Sequence, residues 1–201
     1  MATCVVEEAT VTLMGVQQGD KVMARPFLDV CRGVLPILES LGTGMSLVKK
    51  DVRGNIERLE GRVAEKPLAY EDLLDVVRDE IRRGVQESNS GCTKGLLWLC
   101  RAMQFMVGFM RCLVDDPNLT MYEAVSSSYQ TVLAPYHSWI TGSVFSLALK
   151  VVPNRDTFFT QLGTGTQTEN MVRDYCNRMS PLLQHILKFM DEHGVNFPDK
   201  V

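Results

Sequence analysis

Apolar residues recur along most of this chain at steps of three and four, the spacing that lines one face of an α-helix. Residues 22–41 carry Phe27, Val30, Val34, Leu38 and Leu41 in this way, with Pro36 inside the run, where a proline kinks a helix. Residues 44–60 repeat the pattern through Met45, Val48, Val52, Ile56 and Leu59, and residues 70–84 through Leu73, Leu74, Val77 and Ile81. Residues 93–114 are hydrophobic almost all round, which predicts a helix enclosed by others. Thr120 with Glu123, and Thr166 with Glu169, read as capping boxes opening two further helices. Pro135 predicts a helix start, running to about Val152, where Pro153-Asn154 interrupts it; a short helix over 155–162 ends at Gly163. The last helix runs from the second capping box to about Glu192 and closes at Gly194. The first fifteen residues hold Val5, Val6, Val11 and Leu13, but Glu7 and Glu8 break any strand-like alternation, and no strand is predicted anywhere. The pattern predicts one all-α domain of about eight helices over residues 21–201, preceded by an N-terminal segment, 1–20.

Composition narrows the partners. The chain has 201 residues, 45% of them hydrophobic, enough for a real core. A formal net charge of −3 without a dense basic stretch argues against nucleic acid and favours a neutral or weakly charged partner. The six cysteines form no CxxC pair and read as reduced thiols of a cytoplasmic protein. No basic and apolar leader is visible at the N-terminus, the apolar run from Ser143 to Val152 is broken by Ser146 and Lys150, and no segment is expected to reach the ~20 residues of a membrane span. A monomer is expected.

Enzyme motifs are missing: there is no P-loop, no GxSxG and no HExxH, and the three histidines lack zinc spacing. No catalytic residue, metal or cofactor is expected. Three segments carry other chemistry. Asp51, Asn55 and Arg58 share a helix face, and a carboxylate, an amide and a guanidinium together satisfy neighbouring hydroxyls, each of which donates and accepts. Trp98 and Arg101 share the next face, where an indole stacks on the apolar side of a sugar ring. His137 and Trp139 follow in Pro135-Tyr136-His137-Ser138-Trp139-Ile140. Each segment alone also fits a plainer reading: a solvated helix face, a core tryptophan beside a snorkelling arginine, a structural histidine.

Taken together, the Asp51-x-x-x-Asn55-x-x-Arg58 helix, the Leu96-Leu97-Trp98-Leu99-x-Arg101 helix and Tyr136-His137-x-Trp139 resemble the glycolipid transfer protein family, as do Ala148 to Pro153 and Asp156 to Phe159. The similarity spans roughly residues 20–190. It implies a single-domain, two-layer helical sandwich enclosing a hydrophobic pocket for ceramide chains, and non-vesicular transfer of glycosphingolipids, of which glucosylceramide is the type. By position, Asp51 and Asn55 take sugar hydroxyls, Arg58 replaces the more usual Lys, and Trp98 stacks on the first sugar. Asp51 and His137 bind the ceramide N–H and carbonyl, and Arg101 orients the site or reaches an anionic group. The pocket candidates are Phe27, Val34, Leu38, Phe105, Phe109, Leu133, Phe145, Leu149 and Phe158. Trp139, Ile140 and Lys150 are the expected contacts with a transiently bound membrane. Lys94 stands where animal members commonly have Leu near the sugar, and Phe197 is the nearest aromatic to their C-terminal Tyr. Members that carry ceramide-1-phosphate usually lack the stacking Trp and use extra basic residues; that cargo, or a sensor or adaptor role, is the alternative.

Overall fold

The computed structural model describes residues 5–163 and 167–200, without the side chains of Val5, Trp139 and Ile140. These residues form an all-α sandwich of ten α-helices: α1 (Val5–Leu13), α2 (Ala24–Gly33), α3 (Leu35–Ser40), α4 (Ser46–Glu65), α5 (Leu73–Arg82), α6 (Cys92–Asp115), α7 (Met121–Val132), α8 (Trp139–Leu149), α9 (Arg155–Leu162) and α10 (Gln167–Glu192). Two 3-10 turns, Thr43–Met45 and Ala134–Tyr136, precede α4 and α8.

The core is centred on α6, which packs against α4, α5, α7 and α10. Its 24 residues are long and apolar enough to cross a membrane by composition alone, which the expectation of no such segment did not anticipate. They are mostly buried inside the fold, so the helix is apolar all round because its neighbours surround it. Glu80, buried on α5, fixes its first turn by accepting from the Cys92 and Thr93 N–H groups, each at 2.8 Å, and from the Thr93 hydroxyl at 2.6 Å. A carboxylate on unpaired N–H groups is the favourable charge for a helix N-terminus.

Two expected elements divide or shift. The run over 22–41 is two helices separated at Val34, and Pro36 lies in the first turn of α3, where its missing N–H costs nothing. The helix expected from Pro135 begins later: Pro135 sits in a 3-10 turn, and α8 opens after Ser138, whose side chain accepts from the Thr141 N–H. The Thr120–Glu123 capping box is present in both halves; Thr166, the cap of the second box, lies outside the described residues.

The N-terminal segment, for which no element was predicted, contains helix α1. Val6, Ala9 and Leu13 face the core at helical spacing while Val11 is exposed, and α1 packs on α2 and α10. A hairpin follows, pairing Gln17 with Val22 and Gln18 with Lys21, so two-residue strands exist where none was expected. Asp72 ties it to α5, accepting from the Val22 and Leu74 N–H groups, each at 3.1 Å.

Two glycines allow close helix approach. A Cβ on Gly44 would lie 2.8 Å from the Ala148 Cα, so only glycine lets the first 3-10 turn press against α8. A Cβ on Gly108 would lie 2.4 Å from Ser128 Oγ, which donates to the Phe105 carbonyl at 2.8 Å. Gly108→Ala must displace that hydroxyl from a buried bond, and is expected to lower stability by about 1–3 kcal/mol in denaturant titration.

Candidate functional site

The polar face of α4 forms a relay. Arg58 Nη1 donates to Asn55 Oδ1 at 3.2 Å and to the Gly91 carbonyl at 3.4 Å, and the Asn55 amide donates to Asp51 Oδ2 at 3.3 Å. The guanidinium therefore fixes which way the Asn55 amide points, and that amide points its N–H at the carboxylate. Asn55 is buried, whereas Asp51 reaches the surface. The apolar walls around Asp51 desolvate it enough to raise its pKa above the usual aspartate value, with the Arg58 charge and the Asn55 hydrogen bond pulling the other way.

Beside this relay, α6 and the segment before α8 bring three aromatic side chains and a guanidinium together. The half-buried Trp98 indole stacks with the His137 imidazole, centroids 5.9 Å apart at 23°, and meets Tyr136 edge-on at 6.4 Å. Arg101, 2% exposed, lies 3.5 Å from the Tyr136 ring centre and 5.0 Å from that of Trp98. Its Nη2 donates to Asn196 Oδ1 at 3.1 Å and to the Phe197 carbonyl. Burial draws its pKa below the ordinary guanidinium value. Buried, with Nη2 bound to the C-terminal segment, Arg101 is placed to support the indole.

His137 shares a 3.2 Å hydrogen bond between Nδ1 and the Tyr129 hydroxyl, and burial lowers its pKa, so the imidazole is neutral at pH 7. When the tyrosine donates to Nδ1, the imidazole proton sits on Nε2, making that nitrogen a donor for a ligand. Tyr129 in turn stacks on Phe145, ring centres 3.9 Å apart. Sequence reasoning missed Tyr129 and Glu80: neither stands at an informative spacing from the residues it supports.

Asp51, Trp98 and His137 ring the mouth of an apolar cavity of about 330 Å³. One wall comes from Gly44, Leu47, Val48 and Val52, another from Ala102 and Leu133, and a third from Thr141, Val144, Phe145 and Ala148 on α8. Of the pocket candidates, Leu133 and Phe145 line this cavity. Phe27, Val34, Leu38, Phe105, Phe109, Leu149 and Phe158 lie in the packed core, each almost fully buried. Phe105 touches Phe145 edge-on at 5.6 Å, and Phe109 continues from Phe105 to Phe158. An aromatic ladder thus leads from the cavity floor into the core. Lys94 lies one turn before Trp98 on α6, donating to Asn89 Oδ1 at 2.9 Å. Lys150 is exposed at the end of α8. Trp139 and Ile140 begin α8, but their side chains lie outside the described residues.

An apolar cavity with an acceptor, a neutral imidazole and an indole at its mouth suits an amphiphile with a polar head. Comparison with known proteins gives the same class. The family model for glycolipid transfer protein matches residues 22–164. Glycolipid transfer protein 1 of Arabidopsis thaliana is 38% identical over 180 residues, 89% of this chain and 88% of that one. Among solved structures, the FAPP2 domain described as selecting simple glycosphingolipids with the GLTP fold superposes at TM-score 0.86, with 24% identity over 92% of this chain and 93% of the other. The apo form of mouse ceramide-1-phosphate transfer protein superposes at 0.89, with 20% identity over 96% and 98%. The chain has the architecture of a lipid-transfer protein. It belongs to the glycolipid transfer protein family.

Proposed function

We propose that this protein moves glycosphingolipids of the glucosylceramide type between membranes, as a monomer acting at cytoplasmic membrane faces and without catalysing a reaction. The observation that carries the sugar reading is Trp98 at the cavity mouth with Asp51 beside it. An indole offers a flat apolar surface to a pyranose, and the Asp51–Asn55–Arg58 relay offers both acceptors and donors to its hydroxyls. Asp51 accepts the ceramide N–H and His137 Nε2 donates to the ceramide carbonyl, so neither end of the amide enters the apolar mouth unpaired. An unpaired one costs about 1–3 kcal/mol.

Ceramide-1-phosphate is the second reading, and Arg58, Lys94 and Arg101 favour it by their charge. Arg101 Nη2, however, is engaged by Asn196 and Phe197, and Arg58 Nη1 by Asn55 and Gly91, so one terminal nitrogen of each guanidinium is already taken by the protein, which disfavours a bidentate clasp on a phosphate. Three buried thiols fit a non-catalytic role: burial pushes Cys92 and Cys176 up to about 11 and Cys100 up to about 12, far from the thiolate that nucleophilic chemistry needs.

A cavity of about 330 Å³ is at the small end for ligand sites of roughly 300–1,000 Å³, so a two-chain lipid must widen it. The surrounding core contains Met45, Met103, Met106 and Met110, whose unbranched side chains repack with little strain. Leu47 and Val144 line the cavity and are exposed, as are Leu147 on α8 and Val151 just past its end. These four, with Trp139, Ile140 and Lys150, are the proposed membrane contact; a few small anchors give the weak, reversible binding a carrier needs.

Native mass spectrometry after incubation with vesicles containing equal glucosylceramide, ceramide-1-phosphate and phosphatidylcholine tests the cargo. The expected product is a one-to-one complex with glucosylceramide. Predominant loading with ceramide-1-phosphate would overturn the assignment to sugar heads.

A further inference from the structure

The C-terminal segment after α10 folds back along the N-terminal half of α6. The Val195 N–H donates to the Met190 carbonyl and the Asn196 amide to Asp191, each at 2.8 Å. Arg101 then holds Asn196 and Phe197. Further on, the Asp199 carboxylate stands 3.9 Å from Lys94 Nζ, and the same ammonium lies 5.4 Å from the Phe197 ring centre. None of these tail residues lines the apolar cavity, so the chain-binding space does not require them. They lie instead beside the part of α6 that presents Trp98.

The two charges are held very differently. Lys94 is fixed: its side chain is 19% exposed and bound to Asn89 and the Phe197 ring. Asp199 is loose: its side chain is 69% exposed, and at 3.9 Å the pair is at the limit of an ion pair. A fixed cation with an exchangeable counter-anion is a site where another anion can compete. Lys94 is one helical turn before Trp98, and side chains four apart on a helix are neighbours, with Cβ atoms about 5–6 Å apart. An acidic substituent on a sugar stacked at Trp98 therefore comes within reach of the ammonium.

We propose that Lys94 and Asp199 form a charge filter that sets which sugar heads the site takes. With a neutral head, Asp199 stays on Lys94. A head bearing a sulfate or carboxylate must displace Asp199 to reach the cation, so the protein favours neutral heads over acidic ones of the same sugar. This rests on the glycosphingolipid reading above, and makes Lys94 and Asp199 its specificity-determining pair.

The test is the ratio of sulfated to unsulfated galactosylceramide transferred between phosphatidylcholine vesicles at fixed ionic strength. A ratio taken within one variant does not depend on how much of that variant is active. Asp199→Asn frees Lys94 and is expected to raise the ratio about two- to fivefold, the range for a surface ion pair. In a Lys94→Met background the same change removes only a screened repulsion, so its gain should fall to less than half. An unchanged ratio in Asp199→Asn, or an equal gain in both backgrounds, overturns the filter. If the wild-type protein transfers neither lipid, the glycosphingolipid reading itself fails, whereas transfer of both with an unshifted ratio removes only the filter.

Discussion

Asp51→Val lowers glycolipid uptake by at least about tenfold, with little loss of stability in the ligand-free protein. The carboxylate is the acceptor at the cavity mouth, and the proposed ligand brings it a ceramide N–H and sugar hydroxyls. Hydrogen bonds to a charged group contribute about 1.5–3 kcal/mol, and 1.4 kcal/mol is a factor of ten in affinity. Valine keeps the shape and accepts nothing. The fold does not depend on this carboxylate, because Asp51 reaches solvent and the helix under it is anchored by buried Val52, Ile56 and Leu59. Equilibrium uptake from vesicles, with thermal unfolding as the control, separates the two effects. The wild-type protein should show a partial loss on acidification. Protonation discharges the carboxylate and turns one of its oxygens into a donor, and because burial raises this carboxyl's pKa above the usual aspartate value, uptake weakens at a higher pH than an ordinary aspartate would set.

Trp98→Ala is the second large change. It removes the stacking surface and also the ring against which His137 is packed, so the headgroup and amide contacts weaken together. Loss of an aromatic contact of this kind costs about 0.5–1.5 kcal/mol beyond the apolar area it buries. With the loosened imidazole, transfer should drop by roughly ten- to thirtyfold. Trp98→Phe keeps a flat ring but no N–H, and should fall between the two. Initial rates of glucosylceramide transfer order the three proteins; equal rates for wild type and Trp98→Ala would remove the indole from the account.

Helical spacing made most of the helices legible, since an apolar stripe at three and four is imposed by burial on one side. It misled at the N-terminus, where Val6, Ala9 and Leu13 form a helical face that includes an alanine and is flanked by exposed Val11. A search for strand-like alternation does not see that face. The Pro135 boundary was misplaced because a proline at a helix start and one in a 3-10 turn have the same local sequence, and only the Ser138 cap distinguishes them. At the site, Asp51, Asn55, Arg58 and Trp98 were readable because a helix fixes which residues share a face. Which apolar residues line the cavity was not. Phe105 and Phe145 follow the same pattern, but only Phe145 meets the space opened where α8 passes the turn at Gly44. The return of Phe197 and Asp199 to α6, about a hundred residues from Arg101 and Lys94, is tertiary and leaves no mark on local spacing.

Vesicle-to-vesicle transfer with glucosylceramide and ceramide-1-phosphate competing in the same donor membrane tests the central claim most directly. The account predicts that glucosylceramide moves at least tenfold faster, since only the sugar engages the indole and the α4 relay together. Faster movement of ceramide-1-phosphate would contradict it.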